Sequence, residues 1–402
     1  MEGGTILEIA PRVDVTADER IDARGQVVSP GFVDLHAHLR EPGGEASETL
    51  ETGLCAALAG GFTGVCAMPN TRPVNDCPAT TLALKEKAGR LGLARLFPIA
   101  AVTEGSEGGA LIDFKGLVDA GAVAFSDDGR PVRTAALVRR AMEEARALGV
   151  PIIEHCEDAS LSAGGAMNEG PVAARLGLEG IPGASEAVCL ARDLVLAETT
   201  GAHLHVAHLS TARALDMVRL AKSRGVRVTC EVTPHHFTLT EEAVARCGSN
   251  AKMNPPLRSA EDVEALRKGL GDGTVDAIAT DHAPHAADLK EKPLSEAPFG
   301  VIGLETALAL GISQLVEPGI LSLARLIELM SARPAEIINQ PLGGITVGGR
   351  ADLTVFDPAH QWVYRAAEGR SKSCNSPFDG WKLKGRVTAT IVAGKVLYRL
   401  VC

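Results

Sequence analysis

The sequence predicts an α/β chain: a parallel (β/α)8 barrel of the TIM type, with a small β-rich domain formed by the two chain termini. Three observations carry that expectation. Eight short apolar runs, each long enough for a buried strand, alternate with Ala-, Leu-, Glu- and Arg-rich segments of helical pattern. Strands joined by helices need crossover connections, and these give parallel sheets. The two ends of the chain lack this alternation and hold short strand-like pieces separated by Gly and Pro.

Taken in order, Thr5–Ile9 and Gln26–Val28 read as strand pieces ahead of the barrel. The barrel strands are expected at Phe32–His36, Gly64–Met68, Leu96–Val102, Ala122–Phe125, Pro151–His155, His203–Ala207, Val226–Val232 and Asp276–Thr280. Helices are expected at Glu48–Ala59, Thr80–Leu91, Thr134–Leu148, Ala184–Thr199 and Thr211–Arg224. Asp158–Pro182, rich in small residues, reads as a long loop or lid after the fifth strand. After Gly343, Asp352–Phe356, Arg386–Val392 and Lys395–Tyr398 return to a strand pattern. The expected division is therefore 29–343 for the barrel, with 1–28 and 344–402 pairing into the small β-domain. A doubly wound open sheet shows the same alternation and is the alternative fold.

The 402 residues carry a net charge of −10 and no block of Lys or Arg, which argues against nucleic acid and anionic membranes as partners. Nine cysteines without a CxxC pair suit free thiols in a reducing, cytoplasmic setting. Met1–Pro11 has no basic segment followed by an apolar one, so no signal peptide is expected. Thr52–Thr71 lacks charge, but its four glycines and one proline fit a buried helix and strand rather than a membrane span.

The chemistry concentrates where strands end. His36 and His38 are two apart after an apolar run, so strand periodicity puts both imidazoles on one side, where they can share a divalent cation. Asp34 lies deeper and is expected to orient a ligand. Strand four ends in Asp127-Asp128-Gly129, strand five in Glu154-His155-Cys156, strand six in His203, His205 and His208, and strand eight in Asp281-His282 followed by His285. Each has a bland reading: Asp-Gly is a common turn, Asp281 could cap a helix, and His203 and His205 fit a core. Turn chemistry does not account for His or Asp at five strand ends, and the C-terminal rim of a barrel is where active sites are built.

These motifs resemble the amidohydrolase superfamily. Asp34-Leu35-His36-Ala37-His38-Leu39-Arg40-Glu41-Pro42-Gly43, Met68-Pro69-Asn70-Thr71, Asn254-Pro255-Pro256-Leu257-Arg258 and Thr280-Asp281-His282-Ala283-Pro284-His285 resemble its dihydroorotase branch, and the likeness covers essentially the whole chain. The resemblance implies two divalent cations, zinc by preference. One would be held by His36, His38 and Asp281, the other by His155 and His208. Many relatives bridge the cations with a carboxylated lysine after strand four. No lysine stands there in this chain, and Asp128 matches the branch that uses an aspartate instead.

The implied reaction is reversible hydrolysis of the cyclic amide of dihydroorotate to N-carbamoyl-aspartate, the ring-closing step of pyrimidine synthesis. Asp281 would serve as the proton shuttle. Arg40 is placed to offer its planar fork to the substrate carboxylate. His38, Asn70 and His285 match further substrate contacts, and Asn254 with the Phe299–Gly300 backbone matches contacts to the ring amide. Without the resemblance, Arg40 reads as a surface partner of Glu41 and Asn70 as a turn residue. Cys156 and Cys230 read as packing residues. The rival readings are another cyclic amidase (hydantoinase, dihydropyrimidinase or allantoinase) and a non-catalytic scaffold for aspartate carbamoyltransferase. Those amidases usually carry the strand-four lysine and lack the arginine, and the scaffold should lack ligands. A homodimer and a carbamoyltransferase partner both stay open.

Overall fold

The computed structural model describes residues 1–13 and 15–400. In chain order the strands are β1 (Val27–Pro30), β2 (Phe32–Ala37), β3 (Phe62–Ala67), β4 (Arg95–Ala100), β5 (Ala124–Phe125), β6 (Ile152–Glu154), β7 (Met167–Asn168), β8 (Gly180–Ile181), β9 (Leu204–Val206), β10 (Val228–Val232), β11 (Ala277–Ile278), β12 (Leu353–Val363), β13 (Lys382–Val392) and β14 (Lys395–Arg399). Eight of them pair in parallel in the order β2-β3-β4-β5-β6-β9-β10-β11, and each overlaps one of the eight expected runs. Every residue of β2 and β3 is buried, as strands covered on both faces must be.

The barrel closes between its last and first strands. Ala37 bridges His282 in parallel, and His38 N–H donates to His282 C=O at 2.8 Å. Deeper down, Thr280 N–H and its hydroxyl donate to the two oxygens of Asp34 at 2.9 and 2.5 Å. Asp34 therefore fastens the end of β11 to β2, and its Oδ1 also accepts from His36 N–H at 3.3 Å, so it supports that residue through its backbone rather than its imidazole. The interior packs Val33, Leu35, Ile99, Ile153 and Ala277 together with Ile337 and Ile338 from the helical segment that follows the barrel. That segment includes Leu323–Met330 and Ala332–Ile337 and had no sequence assignment.

The small sheet runs β1-β12-β13-β14, antiparallel throughout, so residues near both termini build one element. Ala393 and Gly394 both have positive φ (50° and 77°), the two-residue turn that matches strand twist in the β13–β14 hairpin. Thr5–Ile9 does not form a strand; Thr5 makes only single bridges, to Glu2 and Arg350. Asp158–Pro182 is more ordered than a loop. It holds helices Ala159–Ser162 and Pro171–Leu176 and the parallel pair β7–β8. Arg258 clamps it, donating to Asn168 Oδ1 and Ile181 C=O, both at 2.8 Å. Among the described residues no helix is long and apolar enough to cross a membrane.

Candidate metal centre and its cleft

The strand ends of the barrel converge as the sequence implies. His36, His38 and Asp128 form one group of donors and Asp128, His155 and His208 another, all buried, so the Asp128 carboxylate is common to both. Its Oδ1 lies 3.4 Å from His36 Nε2, 3.5 Å from His155 Nδ1 and 3.7 Å from His208 Nε2, and its Oδ2 lies 3.5 Å from His38 Nε2. Asp281 Oδ1 stands on the first side, 3.2 Å from His38 Nε2 and 3.6 Å from His36 Nε2. Asp127, its neighbour in the chain, points away. Its carboxylate accepts from Val102 N–H (2.8 Å), Thr103 N–H (3.3 Å) and the Thr103 hydroxyl (2.5 Å).

Several backbones at the rim are unusual. Arg40, His208 and Asp281 have φ of 60°, 30° and 45°, a left-handed region costly for residues with a side chain. Such strain is held only where surrounding contacts fix it, and here it aims three site residues.

Partners outside the cluster set the imidazoles. His38 Nδ1–H donates to Asn70 Oδ1 at 2.9 Å, which leaves Nε2 facing the carboxylates. His155 Nε2–H donates to Glu157 Oε2 at 2.8 Å and turns Nδ1 inward. Glu231 Oε1 lies 3.3 Å from His36 Nδ1, while its Oε2 accepts from His205 Nε2 at 3.1 Å. His203 and His205 both reach Thr229 and neither joins the cluster. Glu157 and Glu231 were not foreseen. The signal for Glu157 was its place two residues after His155; Glu231 offered none beyond a charge inside an apolar strand. His235, buried with Nε2 unpartnered, also went unnoticed in Thr233-Pro234-His235-His236.

The electrostatics are those of a cation site. Burial alone would keep His36 neutral, but Asp128, Glu231 and Asp281 push it well above the usual imidazole range. His155 is raised to about 10 against its burial by Asp128 and Glu157. Asp128 and Asp281 resist burial's upward push because charged imidazoles surround them, and both lie below the ordinary carboxylate range. His36 Nε2, Asp128 Oδ1 and His208 Nδ1 are buried with no hydrogen-bond partner. A free His36 Nε2 beside an unpartnered Asp128 oxygen, with His38, His155 and His208 nitrogens within 3.5–3.7 Å of that carboxylate, makes a donor set of His nitrogen and carboxylate oxygen that suits divalent cations.

A cleft of about 200 Å³ opens onto the cluster. Arg40, Asn70, Asn254, His285, Phe299 and Gly300 line it. Arg40 does not pair with Glu41, which instead accepts from Lys87 and from Leu50 N–H. Arg40 Nε donates to Pro284 C=O at 3.0 Å, and Nη2 lies 3.2 Å from His285 Nε2. Burial brings Arg40 down to about 10, still charged at neutral pH. Burial and then the Arg40 charge push His285 to about 3, so it is neutral, and its Nε2–H donates to Phe299 C=O at 2.7 Å. Asn254 Nδ2 donates to Glu157 at 2.9 Å.

Gly300 is committed within the protein. Its N–H donates to Lys252 C=O, and its C=O accepts from Lys290 and Asn375. A Cβ there would come within 2.6 Å of Ala283 Cβ, so the position shapes the cleft. Lys290, unforeseen from the sequence, holds this wall by donating to Pro298 C=O (3.0 Å) and Gly300 C=O (2.9 Å).

Barrel, rim cluster and cleft together define a hydrolase of the amidohydrolase superfamily. Residues 25–214 match the dihydro-orotase-like family model. The dihydroorotase of Syntrophus aciditrophicus is 51% identical over 401 residues, covering 99% of this chain and 94% of that one. That of Anaeromyxobacter dehalogenans is 51% identical over 398 residues, covering 98% and 92%. Among solved structures, the L-hydantoinase (dihydropyrimidinase) of Arthrobacter aurescens superposes with a TM-score of 0.89 at 29% identity, covering 100% of this chain and 93% of that one. The chain belongs to the dihydroorotase family.

Proposed function

We infer that this enzyme interconverts dihydroorotate and N-carbamoyl-aspartate. The observation that carries the reading over a hydantoinase is Arg40, a part-buried guanidinium in the cleft 3.2 Å from His285. Dihydroorotate brings a carboxylate that needs such a partner, and hydantoin does not. No ligand position is lost, which speaks against a non-catalytic scaffold.

In this reading His36, His38 and Asp281 would hold one zinc ion and His155 and His208 a second, with Asp128 available to both. Zinc supplies Lewis acidity at the amide carbonyl and lowers the pKa of water from 15.7 to about 7. The chain's own groups do the rest. Asp281, kept ionised by its imidazole neighbours, accepts the proton of the attacking water and returns it to the departing nitrogen. Arg40 and His285 fix the substrate carboxylate. Asn254 and the Phe299 backbone face the ring amide, and Gly300 leaves room for it. Asn70 is bonded to both His38 and Asp128, so its first service is to orient those groups, beside any contact to substrate.

Residues 29–343 would constitute the catalytic barrel, with 1–28 and 344–402 forming the small β-domain. The enzyme would work in the cytoplasm, as a homodimer or beside aspartate carbamoyltransferase, which sizing alone and in mixture would test. The deciding assay compares turnover of dihydroorotate, hydantoin and allantoin, with metal analysis of the same sample. Preference for unsubstituted hydantoin would return the protein to the hydantoinase reading.

A further inference from the structure

Glu154 and Cys156 flank His155, so strand alternation sends their side chains to the side opposite the metal cluster. There the helix Gly183–Thr200 presents Cys189 and Asp193, four residues and one turn apart. The thiols of Cys156 and Cys189 and the Asp193 carboxylate all lie within 4.8 Å of one another and are buried. A cation already sits among these groups. Arg192 Nη2 is 3.1 Å from Asp193 Oδ2, 3.5 Å from Cys189 Sγ and 3.9 Å from Glu154 Oε1. The arrangement is therefore a pair of adjacent thiols with a fixed guanidinium on one of them and a carboxylate that accepts the Cys189 S–H at 3.4 Å.

Cys189 is 4% exposed yet borders open space. It lines a cavity of about 390 Å³, separate from the substrate cleft, together with Arg192, Arg133, Val132 and Ser160. A thiol with a proton acceptor, a neighbouring positive charge, a cavity alongside and a second thiol in reach has the features of an oxidation-sensitive cysteine.

We propose that Cys189 is a site of peroxide modification and that Cys156 resolves it to a Cys156–Cys189 disulfide. The Cys189 sulfur attacks one oxygen of hydrogen peroxide, the O–O bond breaks, and water leaves with a sulfenic acid on Cys189. The Cys156 sulfur then displaces that hydroxyl as a second water. Two thiols are oxidised by two electrons, one peroxide is reduced to two waters, and both thiol protons end in water. Closing the pair draws the end of β6 toward the helix. Cys156 is bonded in sequence to His155, so the imidazole moves relative to Asp128 and His208. The loss of activity that follows rests on His155 being a cation ligand; the disulfide does not.

The test treats the metal-loaded enzyme with limiting hydrogen peroxide. Mass spectrometry should show the loss of two hydrogens and one linked pair of peptides containing Cys156 and Cys189. Activity and tightly held metal should fall about tenfold or more, as when a group orienting a ligand is disturbed, and return with dithiothreitol. Cys189→Ser should match the untreated enzyme in activity and resist peroxide. Oxidation of the exposed Cys77 and Cys374 without the Cys156–Cys189 link overturns the proposal. The link with unchanged activity and metal would refute only the coupling to His155.

Discussion

The two adjacent aspartates after β5 should separate function from stability when each is replaced by alanine. Asp128 makes few bonds to the scaffold; besides the imidazoles, among the described residues only Asn70 donates to it, at 3.3 Å. Asp128→Ala should therefore fold. Its carboxylate is common to both donor groups, so metal content at both should fall together. A partner that merely orients a ligand is typically worth about 10–100-fold, so loss of a shared ligand should cost turnover ~100-fold or more. Asp127→Ala should behave in the opposite way. It leaves the buried amides of Val102 and Thr103 without an acceptor, at about 1–3 kcal/mol each. Burial pushes the Asp127 carboxyl up despite those donors, so removing the charge returns part of the loss. The net cost should be near the lower end, ~2–3 kcal/mol, read as a lower melting temperature with metal and turnover per folded molecule retained. Measurements of metal content, thermal unfolding and dihydroorotate turnover on both variants decide it. Metal loss in Asp127→Ala together with retention in Asp128→Ala would refute the assignment.

Three further outcomes follow from the same geometry. Asp281→Asn should keep its fold and much of its metal yet lose about 10²–10⁴-fold in both directions by the same factor; near-normal rates with full metal would move the proton elsewhere. His285 is then the candidate, because His282 is turned to Glu48 (3.3 Å) and Gly303. Arg40→Lys should raise KM for dihydroorotate by roughly tenfold or more, from loss of a charge-assisted hydrogen bond of about 1.5–3 kcal/mol, and leave slow hydantoin turnover unchanged. Lys290 carries a pH signature: burial, then the charges of Lys252 and Arg40, bring it down to about 7. Between that value and the ordinary lysine range the unfolded chain binds the proton and the folded one does not, so stability should rise with pH across this window. Unfolding of wild type and Lys290→Met compared from pH 7 to 10 isolates the effect; identical slopes would show that Lys290 stays charged.

The sequence made the barrel legible because its strands are continuous apolar runs, and the clustered His and Asp residues legible because they fall at the ends of those runs. What it could not show depends on contacts between distant segments. Thr5–Ile9 has a strand's composition but finds only single bridging partners. Asp34 does reach the His36 amide, as its place in the sequence suggests, but its main bonds go to Thr280 across the closing seam, 246 residues away in sequence. Glu231 is hidden for the same reason, since its two imidazoles come from the first and sixth barrel strands. Asp127 and Asp128 differ only in parity: consecutive side chains leave a strand end in opposite directions. One is spent on the amides of the neighbouring strand's exit and the other reaches the barrel axis. Composition alone does not fix that parity, because β5 spans only two residues. The same parity puts Cys156 behind His155. A substitution read as core packing beside Cys156 therefore bears on His155, a proposed metal ligand, through a single peptide unit.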